Sequence, residues 1–94
     1  MTLVLGPDDP IDLEWAPADS MTEVSDLVRA GRTVVVTLPD DPTEAVAAAA
    51  VFAWAGARVF RATPETARDV RLAVEMTESL AGRRPPALTR RGLA

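Results

Sequence analysis

The stretch TVVVTLPDDPTEAVAAAAVFAWAGARVFRATPE, residues 33–65, carries the signals that decide the fold of this chain. It begins with a β-branched run without alternation, which is typical of a strand covered on both faces in a parallel sheet. Asp41, Pro42 and Glu44 then supply an N-cap, a proline at the first helical position and an acid in the first turn. Gly56 ends the predicted helix, because glycine readily adopts the left-handed conformation that follows many helices. The stretch therefore predicts a strand, a helix and a second strand.

The same signals recur at intervals of about one strand–helix unit. Alanine-glycine pairs at 30–31, 55–56 and 81–82 each follow a helix-like segment. A capping box over residues 20–23 precedes the first helix, and Thr63 is the predicted N-cap of the last, followed by a proline. Agreement between independent local signals at three sites favours a strand–helix repeat.

This repeat predicts an α/β fold with a small parallel sheet of three to four strands and three helices. The predicted strands are 2–5, 33–38 and 58–62, with a further strand allowed at 11–15, and the predicted helices are 20–30, 42–55 and 64–81. A length of 94 residues suits one modest core. We expect a single domain over residues 1–82, followed by a basic, proline-containing tail over residues 83–94.

The composition restricts the chemistry of the chain. It contains no histidine, cysteine or lysine, and all 10 basic residues are arginine. These absences remove the usual general base near neutral pH, thiolate nucleophiles, Schiff-base chemistry and imidazole–metal ligation. We therefore expect no catalysis by the chain alone, no cofactor and no metal. Without cysteine, a signal-peptide pattern or an apolar run of membrane-spanning length, the expected location is the cytoplasm, with no membrane partner.

Charge is distributed unevenly along the chain. Residues 1–57 hold ten acids and two arginines, whereas residues 58–94 hold eight arginines and four acids. This asymmetry would steer self-association or hold an anionic partner, although a solvated surface with a basic tail is the simpler interpretation. Aromatic residues make up 4% of the chain, too few to interleave with the arginines and stack on bases, so no binding to nucleic acid is expected.

The segment AAAAVFAWAGARVFRA at 47–62, the helix after it and the terminal RRPPALTRRGLA together resemble the C-terminal end of dihydropteroate synthase. That family is a pterin-binding (β/α)8 barrel that joins a pterin pyrophosphate to p-aminobenzoate in folate synthesis. The resemblance covers about residues 32–94 and is clearest over residues 48–61 and in the tail. It implies a fold similar to the C-terminal part of such a barrel.

The chain departs from the family where the family's chemistry resides. The last strand of the family ends in Arg-x-His, whereas here Arg61 is kept and Thr63 stands in place of the histidine. The family's preceding strand leads to a Ser-Arg-Lys segment whose lysine contacts the pterin, whereas here the strand leads to Asp40 and Asp41. The early pterin- and pyrophosphate-binding loops have no counterpart. The resemblance therefore implies shared ancestry without the activity.

Arg61 and Thr63 form the candidate ligand-binding site. Arg61 ends a predicted strand, at the edge where parallel sheets and barrels bind ligands, and helix amides beyond Thr63 would help to hold an anion. The resemblance implies the same role, because the matching arginine of the family helps to bind anionic substrate groups. The alternative is structural: Thr63 caps the helix, and Arg61 pairs with Glu65 or Asp40.

An acidic cluster of Asp40, Asp41 and Glu44 is expected at the same edge if the two strands are neighbours. It would coordinate a hard metal ion or, in the favoured alternative, cap the helix and interact with its dipole. Trp15 and Trp54 would stack on a ligand or, as is more common, anchor the core or an interface.

Two functional classes follow from these observations. The first is a non-catalytic accessory or interaction protein, a folate biosynthesis-related pseudoenzyme whose partner is a second copy or a full-length barrel homologue. A partial barrel would leave two free edges and an uncovered inner face, and so favours a homodimer. The second is a binding module that holds a pterin, p-aminobenzoate or a phosphate-like anion at Arg61.

Overall fold

The computed structural model describes residues 2–82, which form three helices on a four-stranded sheet. The predicted tail over residues 83–94 lies outside the described residues. The elements in chain order are β1 Leu3–Leu5, β2 Ala16–Pro17, α1 Met21–Arg29, β3 Val34–Thr37, α2 Pro42–Ala55, β4 Val59–Arg61 and α3 Ala67–Leu80.

Local signals place the first two helices as predicted. Ser20 caps α1 by accepting a hydrogen bond from the backbone N–H of Glu23 at 3.2 Å. Asp41 caps α2 in the same way, accepting from the N–H of Glu44 at 3.0 Å, and Pro42 opens that helix. Each helix is followed by a glycine with positive φ, as the repeated alanine-glycine pairs predict.

One predicted strand and the predicted start of the last helix are wrong. Residues 11–15 form a turn with the N–H of Trp15 donating to the carbonyl of Asp12, and the short strand β2 begins one residue later. The last helix begins at Ala67, because residues 63–66 first close a turn in which the N–H of Thr66 donates to the carbonyl of Thr63 at 3.1 Å. Thr63 is therefore not the N-cap.

All four strands are parallel, in the order β1-β4-β3-β2. The successive strands β2, β3 and β4 are neighbours, while the first strand of the chain lies beside the last. In a closed parallel barrel the first strand also lies next to the last, whereas four consecutive barrel strands would place β1 beside β2.

The three helices cover one face of the sheet. The connections from β2 to β3 and from β3 to β4 advance in the same direction across the sheet, so right-handed crossovers place α1 and α2 on the same side. Helix α3 packs beside α2 and also contacts β1. Val36 and Phe60 point into this layer and are buried. They meet Ala45, Ala49 and Ala53 of α2, which are completely buried. The alanine face lets the central helix approach the sheet closely.

The opposite face of the sheet is covered as well. Val35 and Val59, which lie opposite each other in neighbouring strands, are 4% and 2% exposed. The chain leaves β1 at one edge of the sheet and enters β2 at the other, so residues 6–15 cross this face, where Ile11 lies near Val35. The expectation of an uncovered inner face is wrong, because Val35 and Val59 on this face are buried.

A buried carboxylate joins the first and last elements. Glu78 of α3 is 9% exposed, and its Oε2 accepts a hydrogen bond from Thr2 Oγ1 at 2.7 Å. This contact adds to the packing of α3 on β1 and helps to hold the edge strand in place. Within residues 2–82, no helix has both the length and the hydropathy needed to span a membrane.

Substitution of Gly56 by alanine should destabilise the fold more than the same change at Gly31. Both glycines have positive φ, 113° and 82°, but an added Cβ would lie 2.9 Å from Val28 Cγ1 only at Gly56. Backbone strain alone costs about 1–2 kcal/mol, and the clash with a stiff β-branched side chain adds about 1 kcal/mol or more. Urea unfolding of both variants measures the difference, and equal losses would contradict this account.

Candidate functional site

The carboxyl ends of β3 and β4 bring three of the predicted site residues together. The two strands are neighbours, with Thr37 opposite Arg61. Asp40, Arg61 and Thr63 line one small cleft of about 70 Å³ beyond these strand ends. The prediction that Asp40 and Arg61 lie at the same edge of the sheet is therefore confirmed.

The guanidinium of Arg61 is engaged by the chain itself. Its Nη1 donates to the backbone carbonyls of Gly6, at 2.6 Å, and Pro7, and its Nη2 donates to the carbonyl of Asp9 at 2.8 Å. Within residues 2–82 it makes no ion pair with Asp40 or Glu65, so that part of the structural alternative is wrong. Three of the five guanidinium N–H groups are thus directed at the turn after β1.

This turn is itself closed by Asp9. The carboxylate of Asp9 accepts a hydrogen bond from the N–H of Gly6 at 2.8 Å, and its backbone N–H donates to the carbonyl of Gly6 at 3.3 Å. The segment GPDDP at residues 6–10 is typical of a turn, but it does not reveal the partner of that turn. Arg61 is more than fifty residues away along the chain and meets the turn only because β1 pairs with β4.

Thr63 interacts with its own turn. Its hydroxyl lies 3.0 Å from the hydroxyl of Thr66, which is buried, and Thr66 Oγ1 also donates to the carbonyl of Thr63. Because α3 begins at Ala67, the first helix amides lie about one turn further along the chain than the predicted anion site requires. Thr63 and Arg61 line the same cleft, but the helix N-terminus does not join them there.

The acidic cluster separates into different roles. Asp41 is the N-cap of α2, with Glu44 in the first turn, as the structural alternative predicts. Asp40 lines the cleft beside Arg61. In the part of the chain that the structure describes, no group of three or more acidic side chains is arranged to hold a metal ion.

A second cleft was not predicted from the sequence. It has a volume of about 330 Å³ and lies between the connection that crosses the sheet and the ends of β2 and β3. Its lining residues are Ile11, Pro17, Ala18, Asp19, Glu23, Val35 and Thr37. Glu23 Oε1 accepts from the backbone N–H of Asp19 at 3.1 Å, so this carboxylate also serves the start of α1. No local sequence signal marks this cleft, because its lining combines Ile11 with residues that are distant from it in the chain, such as Val35.

Among solved structures, the chain is similar to the structure of Mycobacterium tuberculosis Rv1207. The two share 39% sequence identity with a TM-score of 0.57 over 71% of this chain. The chain spans only 28% of that protein's length. Comparisons with protein-family models and with curated proteins gave no match.

Substitution of Arg61 by alanine should destabilise the protein in the absence of any ligand. Three backbone carbonyls would lose a charged donor, and we expect the free energy of unfolding to fall by about 2 kcal/mol. Arg58→Ala, at an exposed arginine just before β4, is the matched control. Chemical unfolding of both variants measures the effect. Equal stability of the wild type and Arg61→Ala would show that the turn does not need Arg61.

Asp41 and Asp40 should differ in their effect on stability. Asp41→Ala removes the side-chain cap from the N–H of Glu44 and should lower the free energy of unfolding by about 1 kcal/mol. Asp40→Ala should change it by less than about 0.5 kcal/mol, because Asp40 is exposed and caps no helix. Thermal unfolding with and without millimolar Mg²⁺ tests both roles. Stabilisation by Mg²⁺ that Asp40→Ala or Asp41→Ala abolishes would instead support a metal site at these carboxylates.

Proposed function

We propose that this chain is a non-catalytic, dihydropteroate synthase-like accessory or interaction protein. The observation that carries the proposal is the use of Arg61. The arginine that the family resemblance assigns to substrate anions donates here to the backbone carbonyls of Gly6, Pro7 and Asp9. A residue available for ligand binding in a barrel is thus used to hold the fold of a much smaller domain.

The chemistry of the remaining residues supports the same proposal. The chain has no histidine, lysine or cysteine, so neither the family's lysine nor its histidine has a chemical equivalent. The cleft at Arg61 holds about 70 Å³. Sites for drug-sized ligands usually measure ~300–1,000 Å³, so a pterin or p-aminobenzoate would fit only after rearrangement.

The comparison with solved structures assigns no role to the chain. The chain spans 28% of the length of its solved structural relative, so the activity of that whole protein is not carried over to it. The proposed partner is a second copy or a full-length barrel homologue. The absence of cysteine favours the cytoplasm as the compartment.

The second candidate function is a module that holds a phosphate-like anion. One arrangement favours it: Arg61 keeps two further N–H groups, and Thr63 lines the same cleft. Asp40 lines this cleft as well, and its negative charge opposes an anion there. The geometry therefore favours the interaction protein over the anion module.

Two assays test these proposals on the purified chain. We expect no dihydropteroate formation from pterin pyrophosphate and p-aminobenzoate in protein prepared from a host that lacks the synthase. We also expect no thermal stabilisation by pterin, p-aminobenzoate, pyrophosphate or phosphate at millimolar concentration. A ligand present at 100 times its Kd would stabilise the fold by about 2.7 kcal/mol, which corresponds to a rise of ~10 °C or more.

The variants separate the two candidates. If an anion site exists, Asp40→Asn should increase stabilisation by phosphate and Arg61→Ala should abolish it, which would establish the binding module. Product formation above background would overturn the non-catalytic assignment.

A further inference from the structure

The larger cleft has a size and a position that suit a small ligand. Its volume of about 330 Å³ lies at the lower end of the ~300–1,000 Å³ that is usual for small-molecule sites. It lies at the carboxyl ends of β2 and β3, where parallel sheets commonly bind ligands. The cleft beside Arg61 has about a fifth of this volume, about 70 Å³. The larger cleft is therefore the better candidate for a binding site.

Part of the lining of this cleft is apolar. Val35, which is buried, lines it together with Ile11 and Pro17. The connection after β1 brings Ile11 to this position, and alternation along β3 directs Val35 to the same face of the sheet. These side chains offer carbon surface that a ligand with a short apolar stem would cover.

The polar part of the lining is acidic. Asp19 and Glu23 are the charged residues of the cleft, and Thr37 adds a hydroxyl group. Oε1 of Glu23 accepts from the backbone N–H of Asp19. Within residues 2–82, no further hydrogen bond engages the carboxylate of Asp19, Oε2 of Glu23 or the hydroxyl of Thr37. These oxygens are therefore available as acceptors for a ligand.

The start of α1 does not use all of this charge. Ser20 caps the helix by accepting from the N–H of Glu23, and the side chain of Asp19 takes part in neither local contact. The positive end of a helix dipole is equivalent to about half a unit charge, which is less than the charge of the two carboxylates. The cleft therefore keeps a net negative charge.

The two clefts at this edge of the sheet differ in charge. Arg61 lies opposite Thr37 in the neighbouring strand, but it lines the smaller cleft. Its guanidinium donates to the carbonyls of Gly6, Pro7 and Asp9 in the turn after β1. Among the described residues that line the larger cleft, none is basic. A cation would thus be attracted to the larger cleft, and an anion would not.

We propose that the larger cleft binds an organic cation, a guanidinium group on a short apolar stem. The guanidinium would donate to the available oxygens of Asp19 and Glu23, because its planar fork of donors matches the geometry of carboxylates. The stem would cover Ile11 and Val35. A free small molecule and an arginine side chain of a peptide both carry this chemistry. The site goes beyond the interaction role proposed above and does not depend on it.

Titration of the isotope-labelled chain with agmatine, followed by NMR, tests the site. Agmatine carries a guanidinium group on a short methylene chain. We expect saturable binding at low ionic strength, with the backbone amide signals of Asp19, Glu23 and Thr37 among those that shift. Binding should weaken as sodium chloride is added, because salt screens exposed charges. An absence of saturable binding at millimolar agmatine, or shifts confined to other parts of the chain, would overturn the proposal.

Three isosteric variants test the charges. Asp19→Asn and Glu23→Gln should each weaken agmatine binding about threefold, within the range expected for solvent-exposed ion pairs. The glutamine keeps an oxygen that can accept from the N–H of Asp19, so the start of α1 is retained. Asp8→Asn is the matched control, because Asp8 is exposed and does not line the cleft. Binding by all three variants that equals the wild type would overturn the proposal.

Matched ligands separate the two sources of the cation. Tighter binding of agmatine than of a capped arginine peptide would indicate a free small molecule, and the reverse order would indicate a protein segment; both results support the cation site. Shifts of the same signals by phosphate but not by agmatine would overturn it. None of these measurements depends on synthase activity or on association with another protein. Failure of the cation site is therefore distinguishable from failure of the proposed function.

Discussion

The pairing of the first strand with the last is the constraint on which the rest of the structure depends. Because β1 lies beside β4, the chain must pass from one edge of the sheet to the other before it can enter β2. Residues 6–15 make that passage across the face that the helices leave open. The same passage brings the turn after β1 to Arg61, which binds its carbonyls. One strand pairing thus covers the second face and occupies the candidate anion site.

The composition of α2 has a similar effect on the other side of the sheet. Ala45, Ala49 and Ala53 occupy its sheet-facing side completely and allow close approach to the strands. A helix that fills its core face with alanine has to place its larger apolar residues elsewhere. Val51 and Trp54 are 46% and 55% exposed as a result. The close packing of a small core and an apolar outer surface are therefore two consequences of one sequence pattern.

The strand pairing and the alanine-rich face of α2 determine which surfaces of the domain remain accessible to a ligand or a partner. At the strand ends, where α/β proteins usually bind ligands, a cleft of about 70 Å³ lies beside Arg61, and the larger cleft of about 330 Å³ lies at the ends of β2 and β3. The sheet edges are blunted by Pro17 and by the capped N–H of Gly6. The helices, by contrast, expose surface that the domain does not need for its own core.

The sequence by itself determined the elements that depend on local interactions. The caps at Ser20 and Asp41, the proline at the start of α2 and the glycines after each helix specify the helices through contacts within a few residues. The parallel α/β class follows from the same signals. The carboxyl edge shared by Asp40 and Arg61 follows once their strands are neighbours.

Only the tertiary structure decided three features: the hydrogen-bond partners of Arg61, the position of β2 in the chain, and the burial of Val35 and Val59. Each depends on strand order, and strand order is set by contacts between residues far apart in the chain. The local sequence around an arginine at a strand end is the same whether its side chain binds a ligand or a backbone turn. Here the position of β1 decides the role of Arg61. Because β1 pairs with β4, the turn after β1 lies within hydrogen-bonding distance of the guanidinium.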